Sequence, residues 1–265
     1  MSWRARTLAV IVGLVFWLVA STGLAFDCAG RAKKGLVGPV RTVRTVKVFP
    51  EGRRVGQPMQ STYDIKGNEV ETIFYNWTEN REIGSPYVRQ VHTYDDKGNL
   101  TETAVYNRDG SLSGKTVYTY RPKGDQTEVT SSYCEALGHR CGNETVETYD
   151  ARGNRGEDIS YYEDGSIRHK ETYTCDAKGR VAEMVYWDPH GPDAGRVTYA
   201  YDARGNVIEE AWRNADGSIR SKTVYTYEFD SVGNWNKQTA PRGLVTHRTI
   251  TYYPGTEDQK GERKQ

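Results

Sequence analysis

The hexapeptide Tyr201-Asp202-Ala203-Arg204-Gly205-Asn206 returns, with variations, along most of this 265-residue chain. Tyr63-Asp64-Ile65-Lys66-Gly67-Asn68, Tyr94-Asp95-Asp96-Lys97-Gly98-Asn99 and Tyr149-Asp150-Ala151-Arg152-Gly153-Asn154 follow it closely. Three copies are degenerate: Tyr120-Arg121-Pro122-Lys123-Gly124-Asp125, Cys175-Asp176-Ala177-Lys178-Gly179-Arg180 and Phe229-Asp230-Ser231-Val232-Gly233-Asn234. The lead residues stand at 63, 94, 120, 149, 175, 201 and 229, so the steps are 31, 26, 29, 26, 26 and 28 residues. A period in this range marks a repeat array built from one small supersecondary unit.

A second turn sits midway in most units, as in Asn107-Arg108-Asp109-Gly110-Ser111, Glu163-Asp164-Gly165-Ser166 and Ala215-Asp216-Gly217-Ser218. Asp-Gly between alternating runs signals a hairpin, because glycine accepts the positive φ such turns need. In the hexapeptide the Asp side chain can bond amides further along while Gly takes the left-handed position. Asp64, Gly67, Asp95, Gly98, Asp150, Gly153, Asp202, Gly205, Asp230 and Gly233 are therefore expected to form the repeat turns. Between turns, Val197, Tyr199 and Tyr201 alternate with Thr198 and Ala200, a half-buried strand pattern. Tyrosine takes the place of Leu and Ile. Each buried ring removes roughly 150–250 Å² from water while its hydroxyl needs a partner. Stacked units are expected to form a tyrosine ladder with those partners at the rim.

Thr198-Tyr199-Ala200-Tyr201-Asp202-Ala203-Arg204-Gly205-Asn206 resembles the unit of the YD-repeat (RHS-repeat) family, Tyr-x-Tyr-Asp-x-x-Gly-Asn/Arg, and the resemblance covers residues 60 to 253. It implies a sheet of successive hairpins that curls or spirals. Large members of that family form shells around a toxin and cleave themselves near a terminal core motif. This chain is too short for a shell and carries no toxin-sized segment after its repeats. Asp188-Pro189-His190-Gly191 is faintly similar to the core motif, yet it falls in the second-turn slot of an ordinary unit. Tyr162-Glu163-Asp164-Gly165-Ser166 also shows a weaker similarity to MORN-like antitoxin repeats. The expected fold class is all-β, an array of repeated antiparallel β-hairpins forming a twisted or curled sheet of roughly fourteen strands, two from each unit.

Outside the repeats, residues 1–25 read as a secretory signal: Arg4 and Arg6, an apolar run from Leu8 to Ala20, and small residues before Phe26. Cleavage after Ala25 places the chain in the periplasm or outside the cell. An uncleaved anchor is the competing reading, since Leu8 to Phe26 approaches the ~20 residues that span a bilayer. Residues 26–59 read as an entry and a cap strand (Val40 to Phe49), and residues 254–265 as a disordered tail. Charge is balanced, 36 Lys+Arg against 35 Asp+Glu, so no footprint for nucleic acid is present. Export admits disulfides. Cys134 and Cys141 flank an insertion at a second-turn position and read as a disulfide-closed loop. A zinc site from Cys134, His139 and Cys141 lacks a fourth ligand at usual spacing. Cys175, in the tyrosine slot, is a small buried thiol or a partner for Cys28.

No phosphate loop, His-Glu-x-x-His or Gly-x-Ser-x-Gly is present. The repeated aspartates belong first to the turns, and no residue stands out from the repeat as catalytic. No cofactor or metal is expected, and the chain reads as non-enzymatic. Trp77, Trp187 and Trp212 fall at or just before the second turn of three units and are the candidate binding residues. They would stack on sugar faces or anchor a protein, making a cell-envelope polysaccharide or envelope protein the expected partner. A scaffold or immunity-like protein acting by sheet-edge pairing is the alternative, with a hydrolase third. Membrane contact is expected only through residues 1–25, if retained.

Overall fold

The computed structural model describes residues 36–80, 82–136, 141–189, 195–214 and 216–254. The signal segment, Cys28, His139, His190 and the tail from residue 255 lie outside these. The described residues hold seventeen strands in a single sheet. In chain order they are β1 (Val40–Val48), β2 (Arg54–Tyr63), β3 (Glu69–Trp77), β4 (Ile83–Tyr94), β5 (Leu100–Asn107), β6 (Leu112–Lys123), β7 (Gln126–Glu135), β8 (Cys141–Tyr149) and β9 (Arg155–Tyr161). There follow β10 (Ile167–Cys175), β11 (Val181–Trp187), β12 (Gly195–Tyr201), β13 (Val207–Arg213), β14 (Ile219–Val224), β15 (Thr226–Phe229), β16 (Trp235–Thr239) and β17 (Val245–Tyr252).

Successive strands pair antiparallel, and β1 pairs with both β2 and β17, so the sheet closes on itself. β14 and β15 are one run interrupted at Tyr225, whose N–H bonds Ile208 O instead. The seventeen strands thus make sixteen passes, and an even number lets the first and last meet antiparallel. The count exceeds fourteen because β1 and β2, ahead of the first repeat turn, add two staves. β1 is accordingly a stave between two neighbours, not a cap over one end. The wall has one weakness. β13 pairs with β14, whereas only β15 reaches β16, so the far edge of β14 has no ladder partner among the described residues.

The turns explain why the units stack. Asp202 Oδ1 accepts the N–H groups of Arg204 and Asn206 at 2.9 and 2.8 Å, and Asn206 Nδ2 donates to Oδ2 at 2.9 Å. Gly205 takes φ 90°. The same pattern recurs at Asp64, Asp95 and Asp150, and Arg180 replaces Asn as the donor to Asp176. Each such lead residue sits at a register shift, a bulge that re-aims its side chain. The copy at Tyr120 lacks the acceptor, having Arg121 in its place. There the strands run unbroken to a tight turn, with Lys123 opposite Gln126.

Directly paired residues share a face, so the register can be followed round the ring. One face carries Val43, Ser61, Thr72, Thr103, Val129, Asp158, Val197 and Thr246, all buried, and is the inner one. The outer face carries ion pairs between neighbouring strands: Glu71–Arg89, Glu102–Lys115, Glu128–Lys123, Glu157–Lys170, Glu183–Arg196, Glu209–Lys222 and Glu228–Lys237. The sequence accounts for this belt. Six copies place Glu eight residues after the lead residue, and the seventh places Lys237 there. Eight strands give a barrel that side chains just fill. Sixteen passes enclose more, and inner residues such as Tyr199 and Glu210 stay only half-buried.

Candidate functional site

The inner wall is held in register by tyrosines. Tyr120, Tyr201 and Tyr227 each donate their hydroxyl to the carbonyl twenty residues earlier, Leu100, Val181 and Val207, at 3.0, 2.7 and 2.6 Å. Tyr94 reaches Glu69 O at 2.8 Å, and Tyr253 reaches Tyr63 O across the closure at 2.6 Å. This is the expected ladder, with backbone carbonyls as the partners. Phe229 lacks a hydroxyl, so Tyr227, two residues earlier, takes over. Cys175 occupies the same slot, its Sγ 3.9 Å from Arg155 O. It is disulfide-bonded, which corrects the free-thiol reading; a bond to Cys28 falls outside the described residues. Cys134 and Cys141 are paired directly across β7 and β8 and form the expected disulfide.

One unit departs from this pattern at several inward positions. The register places Glu147 opposite Asp158 and Asp158 opposite Glu171, three carboxylates in a row across β8, β9 and β10. Like charges directly opposite repel, so the row is retained against its own electrostatics. Arg155 stands among them. Its Nη2 donates to Asp158 Oδ2 at 2.6 Å and to Glu147 Oε1, while its guanidinium lies 4.8 Å from the Tyr173 ring centre. Tyr149 donates to Glu147 at 2.6 Å, and Tyr173 to Glu171. Burial pushes the Asp158 carboxyl up to about 7, against the pull of Arg155; Glu147 and Glu171 push the same way as burial. Burial also raises the Tyr149 and Tyr173 phenols, with Glu147 and Glu171 respectively adding to the shift.

Two of these carboxylates depart from the residues at their positions in most other copies. Glu147 lies two before its lead residue, where other copies have Ser61, His92, Tyr118, Tyr173, Tyr199 and Tyr227. Asp158 lies nine after, where others have Thr72, Thr103, Val129, Met184, Glu210 and Gln238. Aligning the units on their turns and comparing inward positions alone exposes this. A search for known motifs does not.

The three tryptophans do not share a face. Trp212 is on the inner wall, opposite Val197, with Nε1 donating to Glu210 at 2.8 Å. Tyr225 Oη donates to the other Glu210 oxygen at 3.3 Å, so an aromatic pair brackets one carboxylate. Trp187 is on the outer wall, opposite Lys170, and is 43% exposed. Trp77 lies at a strand end, where Nε1 donates to Gly56 O at 2.8 Å and Arg54 stacks on its ring. Spacing from the second turn gave their height on the wall. For two of them period-two alternation decides the face: Trp187 stands three residues after the inward Met184, and Trp212 two after the inward Glu210. From β8 to β14, then, the inner wall combines Tyr149, Tyr173, Tyr199, Trp212 and Tyr225 with Glu147, Asp158, Glu171 and Glu210: ring faces beside hydrogen-bond acceptors.

No family model matches the chain, and no curated protein sequence does. Among solved structures it is similar to a porin-like protein from Bacteroides uniformis, at 13% identity over 82% of this chain and 98% of that one, with a TM-score of 0.51. A porin-like protein from Bacteroides vulgatus aligns over 82% of this chain and 99% of its own at 11% identity, with a TM-score of 0.31. The Tc holotoxin pore of Photorhabdus luminescens aligns over 80% of this chain and 18% of its own at 11% identity, with a TM-score of 0.19. The first likeness is one of fold alone, and the other two are too distant to argue from. The chain is an all-β antiparallel sheet closed nearly into a barrel.

Proposed function

We propose that this chain is a non-enzymatic, exported barrel of the cell envelope that binds a polysaccharide on its inner wall. The observation that carries the reading is the arrangement of β8 to β14, where aromatic faces alternate with carboxylates. Sugar rings stack on such faces, and their hydroxyls donate to such carboxylates. The exterior supports a water-facing molecule. A lipid-facing barrel wall carries an apolar band about 25 Å tall, and this wall carries Glu–Lys and Glu–Arg pairs at the matching height in unit after unit. Glu147 and Asp158 both lean on Arg155 and Glu171 on Tyr173, which suits a fixed binding wall better than groups moving protons in turnover. The test is a screen of the folded protein against soluble and insoluble cell-wall polysaccharides, read by tryptophan fluorescence and pull-down. A saturable ligand is expected, weakened about tenfold by Trp212→Ala, the equivalent of ~1.4 kcal/mol. Trp187→Ala, on the outer wall, is expected to bind as the parent does. No binding by folded protein to any glycan ends this reading.

A second reading is favoured by the unpartnered edge of β14. Ile219 and Val224 are 53% and 47% exposed, and an extended segment of an envelope protein could add as a strand there. A proline at Lys222, whose N–H faces away from β13, removes one edge donor; if cross-linked partners persist in that variant, edge pairing is not the mechanism.

A further inference from the structure

Seven passes round the ring from β9, at the middle of the carboxylate row, the inner wall changes sign. Arg248 on β17 points inward and is only 7% exposed. Its guanidinium carbon lies 3.4 Å from the centre of the Trp235 ring, which holds it flat against the wall. Nε and Nη1 are enclosed and have no hydrogen-bond partner, and no carboxylate pairs with this cation among the described residues. The ionisable groups acting on it are the phenols of Tyr63 and Tyr227. A buried charge without a counter-charge is among the least stable things a fold can hold, so the retention of Arg248 in this wall needs a reason.

The neighbours supply a second cation and more donors. Thr45 of β1 lies directly opposite Arg248, and Lys47, two residues on, lies opposite Thr246. Lys47 therefore sits diagonally from Arg248 on the same inner face, and burial lowers its ammonium to about 8. Thr246, Ser61 and Gln238 are buried in the same sector, with Gln238 Nε2 donating to Tyr227 Oη at 2.9 Å. The ion pairs of Arg155 with Glu147 and Asp158 lie near β9, on the far side.

We infer that the inner wall at β16, β17 and β1 is an oxyanion-binding site in which the Arg248 guanidinium and the Lys47 ammonium receive a carboxylate or phosphate group of the ligand. A guanidinium presents two parallel donors to such a group and a lysine a point charge, and bonds of this kind are about twice as strong as neutral ones. Together with the acceptor-rich wall opposite, this points to a glycan with acidic substituents. The inference rests on the polysaccharide reading only for the source of the anion.

The test titrates the folded full chain with an oligogalacturonate, with inorganic phosphate and with a neutral cello-oligosaccharide, by calorimetry and Trp235 fluorescence. Binding of one of the two anions, weakened about tenfold or more in Arg248→Met with unchanged circular dichroism, supports the site; which anion binds identifies the source. If Arg248→Met fails to fold, Lys47→Met decides, with the same loss expected. Failure of both anions to bind the parent overturns the inference, as does parent-like binding by the variants. Equal binding of the neutral sugar by parent and variants, with no anion bound, leaves the polysaccharide reading standing and ends this one. Phosphate binding without any glycan does the reverse.

Discussion

At the scale of single residues, Asp158 is a carboxyl held well above its ordinary range. Its carboxyl is pushed up to about 7 by burial, with Glu147 and Glu171 alongside and Arg155 opposing. The folded state therefore keeps a proton that the unfolded chain gives up near the ordinary value of 3.8. By linkage, the stability from this group is present below about pH 4 and is lost as pH rises toward 7. The turn aspartates work in the opposite sense. Asp95 and Asp150 are lowered first by the backbone hydrogen bonds of Asn99 and Asn154, so their share is lost as pH falls. Comparison with Asp158→Asn separates the two. The melting temperature of the parent, relative to that variant, is expected to fall between pH 4 and 7. A difference that stays constant across this window would show that Asp158 does not titrate there.

At the scale of the element, the repeat turn and the disulfide hairpin carry the testable claims. Gly205 takes φ 90°, and a Cβ placed there meets nothing within 4 Å. Gly205→Ala should thus cost only the conformational term, about 1–2 kcal/mol in urea unfolding. Gly114 makes the contrast: a Cβ there would stand 2.3 Å from Tyr133 Oη and 2.8 Å from Cys134 O, so its alanine variant fails for lack of room. The Cys134–Cys141 bond closes a short loop between β7 and β8, seven residues apart in sequence. Its removal in the double serine variant should lower stability by ~2–3 kcal/mol through the entropy of the unfolded chain. Equal unfolding midpoints for reduced and oxidised protein would show that the hairpin is held by its ladder alone. The turns were legible in sequence because Asp and Gly act locally. The opposite faces of Trp187 and Trp212 follow from strand alternation, but which of the two faces is the inner one was not legible, since only the closed sheet decides it.

At the scale of the whole molecule, the outer belt governs where the barrel resides. Surface ion pairs contribute only about 0–1 kcal/mol each to stability. Placed on a lipid-facing wall, however, Arg and Lys would cost ~2–4 kcal/mol apiece at the bilayer midplane. The folded barrel, freed of residues 1–25, is expected to remain in solution without detergent and to stay out of phosphatidylcholine vesicles in a flotation assay. Co-flotation with such vesicles would show that the wall tolerates lipid in spite of its charges.

The sequence by itself determined the unit: its turn chemistry, its alternating strands, its tyrosine in place of aliphatic residues and the Cys134–Cys141 hairpin. All of these are set within thirty or so residues of chain. It also held, unread, the belt of glutamates and the odd unit containing Glu147, Arg155 and Asp158, since both appear once the copies are aligned. Tertiary structure decided closure. Whether hairpins spiral on or return depends on the twist and shear accumulated over sixteen passes and on β1 finding β17, a pairing between segments about two hundred residues apart. Only that closure gives the sheet an inside. It sets the carboxylates of β8 to β10 on the wall facing Arg248 and Lys47, a juxtaposition that no local pattern contains.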